Sequence, residues 1–118
     1  QKIYIEFLDW LIKNVLYAEI KGNKDITEEL RKQQKYMTIY ASDNVLKAWS
    51  NFKMSAMNSA IKKGTLPKDE YTKYFLQNDA PKIEDLILAI RRELGYKNKN
   101  IKQYDILRLY INDIDQYL

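Results

Sequence analysis

Cysteine and histidine are both absent from this 118-residue chain, and it carries only three glycines and two prolines. Without cysteine there is no disulfide, no thiol nucleophile and no thiolate zinc site; without histidine the commonest metal ligand and general base is missing as well. Scarce glycine and proline mean that turns must be few. Long uncharged apolar runs are missing too, because Glu6, Asp9, Lys13 and Glu19 interrupt the most apolar stretch, and no basic leader followed by an apolar run opens the chain. This segment is therefore expected not to contact a membrane, which leaves room for a membrane segment elsewhere in a longer protein. The chain opens with Gln1 inside a periodic segment, so residues 1–118 are expected to be one helical domain excised from a longer, cytoplasmic polypeptide.

What remains is 46% hydrophobic and 31% charged, the composition of a folded, strongly patterned chain with one core. In residues 2–20 the polar positions Lys2, Glu6, Asp9 and Lys13 recur every three or four residues and leave Tyr4, Leu8, Leu11 and Val15 on one side, with Ile5, Ile12 and Leu16 widening it, which is helical periodicity. Gly22 and Asn23 supply a helix stop, and Asp25 with Glu28 has the spacing of a capping box. The next segment, through Leu30, Gln33, Gln34, Met37 and Tyr40, reads as helix, although Tyr36 to Tyr40 also has the aromatic and β-branched content of a short strand.

Ser42 or Asp43 caps a third segment that runs to Lys63 and stops at Gly64. Val45, Trp49, Phe52, Ala56 and Ala60 form one stripe on it, with Leu46, Met57 and Ile61 alongside, and the small side chains from Ser55 to Ala60 let a neighbouring helix approach closely. Trp49 is the expected core anchor, buried against the first and fifth helices. A short helix over residues 68–76 turns Tyr71, Tyr74 and Phe75 inward. Asp79, Ala80 and Pro81 then start a helix that carries Ile83, Leu86, Ile87, Ile90 and Leu94 to a stop at Gly95. Residues 96–102 read as a solvated loop, and a last helix from about Gln103 to beyond Asn112 places Ile106, Leu107, Tyr110, Ile111 and Ile114 for burial. The fold class is all-α, a compact single-domain bundle of five or six helices.

Twenty basic and sixteen acidic residues give a net charge of +4, which residues 91–108 account for alone, with six basic side chains against two acidic. Within that segment Arg92, Lys97, Lys99 and Lys102 are candidate contacts for phosphates or an acidic partner, and Tyr96 and Tyr104 have the chemistry to stack on bases. Arg91 adjoins Ile87, Ile90 and Leu94 on the helix face, so it is expected to form a structural ion pair with Asp113 or Asp115 instead. Asp113 and Asp115 beside Asn112 lack the glycine and distal glutamate of a calcium loop, and the isolated glycines form no phosphate cradle. Glu28, Glu29, Glu84 and Asp85 stand in helix first turns, where carboxylates oppose the dipole and need no catalytic role. The serines have no histidine base and no sharp elbow. No cofactor, metal or catalytic set is expected.

Ten tyrosines, two tryptophans and three phenylalanines are many for this length and suit surfaces buried on binding. Tyr4, Tyr17, Tyr110 and Tyr117 lie on the first and last helices, whose wide apolar faces one core is not expected to cover fully. The stretches Ala41 to Trp49, Ala89 to Gly95 and Tyr110 to Asp115 resemble a family of uncharacterised bacterial proteins. The resemblance covers most of the chain, implies a recurrent bacterial helical domain, and carries over no functional residue. The expected function is a non-enzymatic protein-interaction or self-association domain; the alternative is a nucleic-acid-binding module using residues 91–108.

Overall fold

The spacing of apolar side chains at the start of the chain folds it as helix α1 (Lys2–Leu11) in the computed structural model, which describes residues 2–17 and 27–118. Tyr4, Phe7, Trp10 and Leu11 form its buried face, and the chain continues as a π-helical turn (Ile12–Leu16) that seats Val15 and Leu16 in the core. The expected stop at Gly22 and Asn23, and the capping box begun by Asp25, lie outside the described residues.

Helix α2 (Thr27–Tyr40) includes the stretch that composition alone leaves compatible with a strand. Met37 decides it: helical geometry drives this side chain to full burial, and no strand exists among the described residues for Tyr36 to Tyr40 to pair with. Helix α3 (Asp43–Asn58) starts as expected, with Ser42 Oγ accepting from Val45 N at 3.4 Å. The same residue's backbone N donates to the Tyr4 hydroxyl at 3.1 Å, which ties the start of α3 to α1.

The third segment is not one unbroken helix to Lys63. It is interrupted at Ser59, whose ψ of −7° departs from the ideal helical value, and resumes as α4 (Ala60–Thr65), which ends one residue past the expected stop at Gly64. Helix α5 (Lys68–Asn78) buries Tyr71, Thr72, Phe75 and Leu76, and α6 (Ala80–Glu93) buries Ile83, Leu86, Ile87 and Ile90. Gly95 ends the α6 region at a φ of 101°, a conformation that glycine adopts without penalty.

The expected last helix is the largest departure. Only α7 (Leu107–Tyr110) forms, followed by a 3-10 turn (Ile114–Tyr117). Tyr104 takes a positive φ of 74° and Ile111 an extended conformation, so the segment is pinned at both ends to the bundle and buries Ile106, Leu107, Ile111 and Ile114 without a long helix.

Together these elements form an all-α, single-domain bundle in which α3 lies along α6, α5 packs on α6, and the 3-10 turn closes against α5. Trp49 is buried at its centre, edge-on to Phe7 and Trp10 of α1 with ring centroids at 5.1 and 6.2 Å. At the ends of the chain Tyr4 is buried and Tyr17, Tyr110 and Tyr117 are half-buried, while Ile5, Leu109 and Leu118 stay exposed, so the apolar faces there are covered only in part, as expected. No helix of the described residues is long and apolar enough to cross a membrane.

Candidate interaction site

Asp79 is the hinge of the site. Its place before Ala80 and Pro81 predicts an N-cap, yet its backbone is already helical and its side chain caps nothing. The carboxylate is 1% exposed and instead accepts from Ser55 Oγ, with Ser59 Oγ 3.3 Å away. The small side chains on α3 therefore do admit a neighbour, and the neighbour is the corner between α5 and α6.

A cavity of about 670 Å³ opens over this corner. Asn51, Met54 and Asn58 form its α3 wall, Gln77 and Asn78 its α5 wall, and Lys82 and Asp85 its α6 edge. The side-chain amides of Asn51 and Asn58 are exposed and hydrogen-bond no described residue. Opposite them, Gln77 Nε2 donates to Tyr117 O at 2.8 Å and Asn78 Nδ2 to Tyr74 O at 2.9 Å, which leaves their amide oxygens as oriented acceptors. Met54 in this wall is 54% exposed, and Met57 and Ile61, which do not line the cavity, are 61% and 78% exposed. The sequence pattern placed Met57 and Ile61 beside the buried stripe; in the fold both are exposed, and α6 packs along α3 elsewhere.

The basic segment is ordered around Asn98, which takes a left-handed φ of 56°. Its Nδ2 donates to Leu88 O at 3.0 Å and its Oδ1 accepts from Arg91 Nε at 2.9 Å. The Arg91 guanidinium also lies 4.5 Å from the Tyr96 ring centroid. Arg91 is thus a structural residue, but not through the expected ion pair with Asp113 or Asp115. With no long final helix to carry those acids alongside α6, Asp115 pairs locally with Arg108, Nη2 to Oδ1 at 2.9 Å, and Asp113 makes no ion pair with any described residue. The hydrogen bond from Arg108 holds the Asp115 carboxyl below its ordinary range and, in return, Arg108 above its own. Arg92, Lys97, Lys99 and Lys102 are exposed and form no ion pair with the described residues.

Unequal effects of the two arginines follow. Arg91→Ala is expected to lower stability by about 1 kcal/mol, the value of one partly buried hydrogen bond, and Arg92→Ala by about 0.5 kcal/mol or less. Parallel thermal melts read the difference, and equal melting temperatures would return Arg91 to the solvated surface.

Glu84 and Asp85 do not stand in the first turn as expected, because the helix starts at Ala80 and places both one turn further in. Glu84 is 2% exposed and faces the C-terminal segment. Its Oε1 accepts from Tyr104 N at 2.6 Å and its Oε2 from Ile106 N and Leu107 N at 2.9 and 3.1 Å. A carboxylate on α6 thereby caps α7 from across the bundle. Glu84 shares a helix face with Ala80, Ile87 and Leu88, which accounts for its burial but gives no sign of its partners.

Tyr104 reports on this capture. Its hydroxyl donates to Leu76 O at 3.2 Å, and burial first, then the Glu84 charge, raise its pKa above the ordinary tyrosine value. Because the folded state favours the neutral phenol, this contribution is full below the ordinary tyrosine pKa and is lost as pH rises through the folded value. The stability gap between the native protein and Tyr104→Phe is expected to be about 1 kcal/mol at neutral pH and to close above about pH 10. A gap that stays constant in denaturant melts from pH 8 to 11 would refute the coupling.

No family model, curated protein or solved structure matches this chain. The resemblance to uncharacterised bacterial proteins therefore gains no support from the comparisons, and function must be argued from the surface itself. Among the described residues no three acidic side chains gather as a cation site would require. The cavity offers amide and hydroxyl donors and acceptors with one lysine, one aspartate and one methionine, Met54.

Proposed function

We propose that this domain is a non-enzymatic protein-interaction module that docks a polypeptide partner on the outer face of α3 and α4. The observation that carries the reading is the exposed stripe of Met54, Met57 and Ile61 in i, i+3, i+7 register beside an open cavity. Single exposed apolar side chains are ordinary, but three in one register on a helix face form a patch that binding would remove from water. Methionine suits such a patch because its unbranched side chain repacks against different partners. The surplus of tyrosine, the expected cytoplasmic bacterial setting and the absence of histidine and cysteine fit the same role.

Two measurements test it: light scattering of the domain up to high micromolar concentration, and panning of a random linear peptide library on the immobilised protein. Association with itself or with library peptides is expected, and Met57→Glu with Ile61→Glu should abolish it while leaving the melt unchanged, since both side chains are exposed. A protein that stays monomeric and retains no peptide would overturn the proposal.

The ordered loop over residues 96–102 favours a second reading. Arg92, Lys97, Lys99 and Lys102 surround a turn held by Asn98, with the Tyr96 ring braced by Arg91, and this arrangement suits phosphates and bases of a single strand. Under this reading a labelled single-stranded oligonucleotide binds at low salt and is released by Lys97→Glu, Lys99→Glu and Lys102→Glu. Absence of binding at low salt removes it.

A further inference from the structure

The outer face of α3 and α4 carries a charge that narrows what kind of polypeptide lies on it. We infer that the partner is an acidic segment, its carboxylates drawn to Lys47, Lys53 and Lys62 and its apolar side chains to Met54, Met57 and Ile61; the inference rests on the interaction reading above.

The charge is set by the sequence. Sixteen acidic residues are spread through the chain, yet none falls between Asp43 and Asp69, where Lys47, Lys53, Lys62, Lys63 and Lys68 stand. Beyond its first residue, Asp43, α3 therefore holds no carboxylate, and α4 holds none at all. Lys47 and Lys53 are exposed and form no ion pair with a described residue. Lys47 precedes Met54 by seven residues and Lys53 precedes Met57 by four, spacings that set each lysine on the helix face of its methionine. Lys62, next to Ile61, leans toward α5 with Nζ 4.5 Å from the centroid of the Tyr74 ring, and no described carboxylate neutralises it. Met54, Met57 and Ile61 are exposed among these cations.

Carboxylates return on the neighbouring elements. Asp69 and Glu70 in the first turn of α5 and Asp85 on α6 are exposed, and Asp79 is buried at the corner, with Lys82 the lysine at that edge of the cavity. The positive potential is thus a strip along α3 and α4, bordered by acids, and a strip suits one chain segment better than an extended anionic bilayer. A second copy brought face to face would set these lysines against their own counterparts, a juxtaposition that costs affinity. A nucleic acid strand would find cations but no open ring on which to stack, since the side chains exposed among the lysines are aliphatic and thioether. An acidic segment with apolar side chains meets both features of the strip at once, and methionine adapts to the shape it brings.

The test is to pan a random linear peptide library on the full chain at low ionic strength, then titrate a labelled enriched peptide against the native protein, Lys53→Glu, Lys62→Glu, the double variant and Lys99→Glu. All three lysines are exposed, and thermal melts verify that the variants fold. Enrichment of peptides with Asp or Glu among apolar residues is expected. Each reversal on α3 or α4 should weaken binding about two- to tenfold, because it exchanges a surface attraction for a repulsion, the double variant should lose more than either, and Lys99→Glu should leave affinity unchanged. Raising salt from about 0.05 to 0.5 M should weaken the native complex and change that of the double variant far less. Enrichment of neutral or basic peptides, or of acidic ones indifferent to salt and to the double variant, would overturn the inference. If such peptides are still released by Met57→Glu, the interaction face stands and only the acidic character of its partner falls. Retention of no peptide overturns the inference, and the interaction reading with it if the domain also stays monomeric. Binding of the native chain but not the double variant to phosphatidylcholine vesicles carrying phosphatidylserine, with no peptide retained, would assign the strip to a membrane surface instead. Loss confined to Lys99→Glu would move the site to the basic loop.

Discussion

Glu84→Ala is expected to destabilise the protein by about 3–5 kcal/mol, more than any other single carboxylate replacement, because it strips the acceptor from three backbone N–H groups at once. Ile106 N and Leu107 N lie in buried bonds to Glu84 Oε2, and water has no ready path to replace it. Glu84→Gln keeps the volume but turns one acceptor into a donor facing other donors, so it should recover only part of the loss. Amide hydrogen exchange provides the local readout: protection of residues 104–111 should fall before that of α3 and α6. A melting temperature unchanged in Glu84→Ala would refute the role of this side chain, since an average domain holds only about 5–15 kcal/mol in reserve.

Trp49→Ala should cost a similar amount, about 3–5 kcal/mol, for a different reason. Trp49 is 7% exposed and its ring meets Phe7 and Trp10 of α1 edge-on and Phe52 of α3 in a stacked arrangement. Truncation leaves a void bordered by three other aromatic rings, too large to close by small shifts, and forfeits the edge-to-face attraction as well. Chemical denaturation with tryptophan fluorescence reads the loss, with Trp10 as the remaining reporter. Trp49→Phe should restore a large part of it. Equal stability of the alanine variant and the native protein would mean that α1 is held to the bundle by other contacts.

The two residues stand at opposite ends of what can be read without a structure. Trp49 announced itself through its stripe with Val45 and Phe52, because helical periodicity is a property of neighbouring residues along the chain. Glu84 did not, because its partners lie about twenty residues away and only packing brings them within hydrogen-bond reach. The same division explains Arg91. Its helix face was legible and its structural role follows from it, but its partner is Asn98 in the adjoining loop and not an acid of the final segment. Asp79 looked like a cap by its position before Ala80 and Pro81, and became a buried acceptor for Ser55 because the corner it occupies is pressed against α3.

Local sequence by itself determined the helical class, a cap at Ser42 or Asp43, the turn at Gly95 and the central place of Trp49, since each depends on spacing and backbone preference over a few residues. Tertiary structure alone decided that the C-terminal segment would be a short helix and a 3-10 turn held by a carboxylate from α6, and that Met57 and Ile61 would face outward while the amides of Asn51 and Asn58 line a cavity. Those outcomes depend on which side of α3 its neighbours choose. A helix with a broad apolar face can bury only the part that α1 and α6 reach, and what they leave uncovered is set by the packing of the whole bundle.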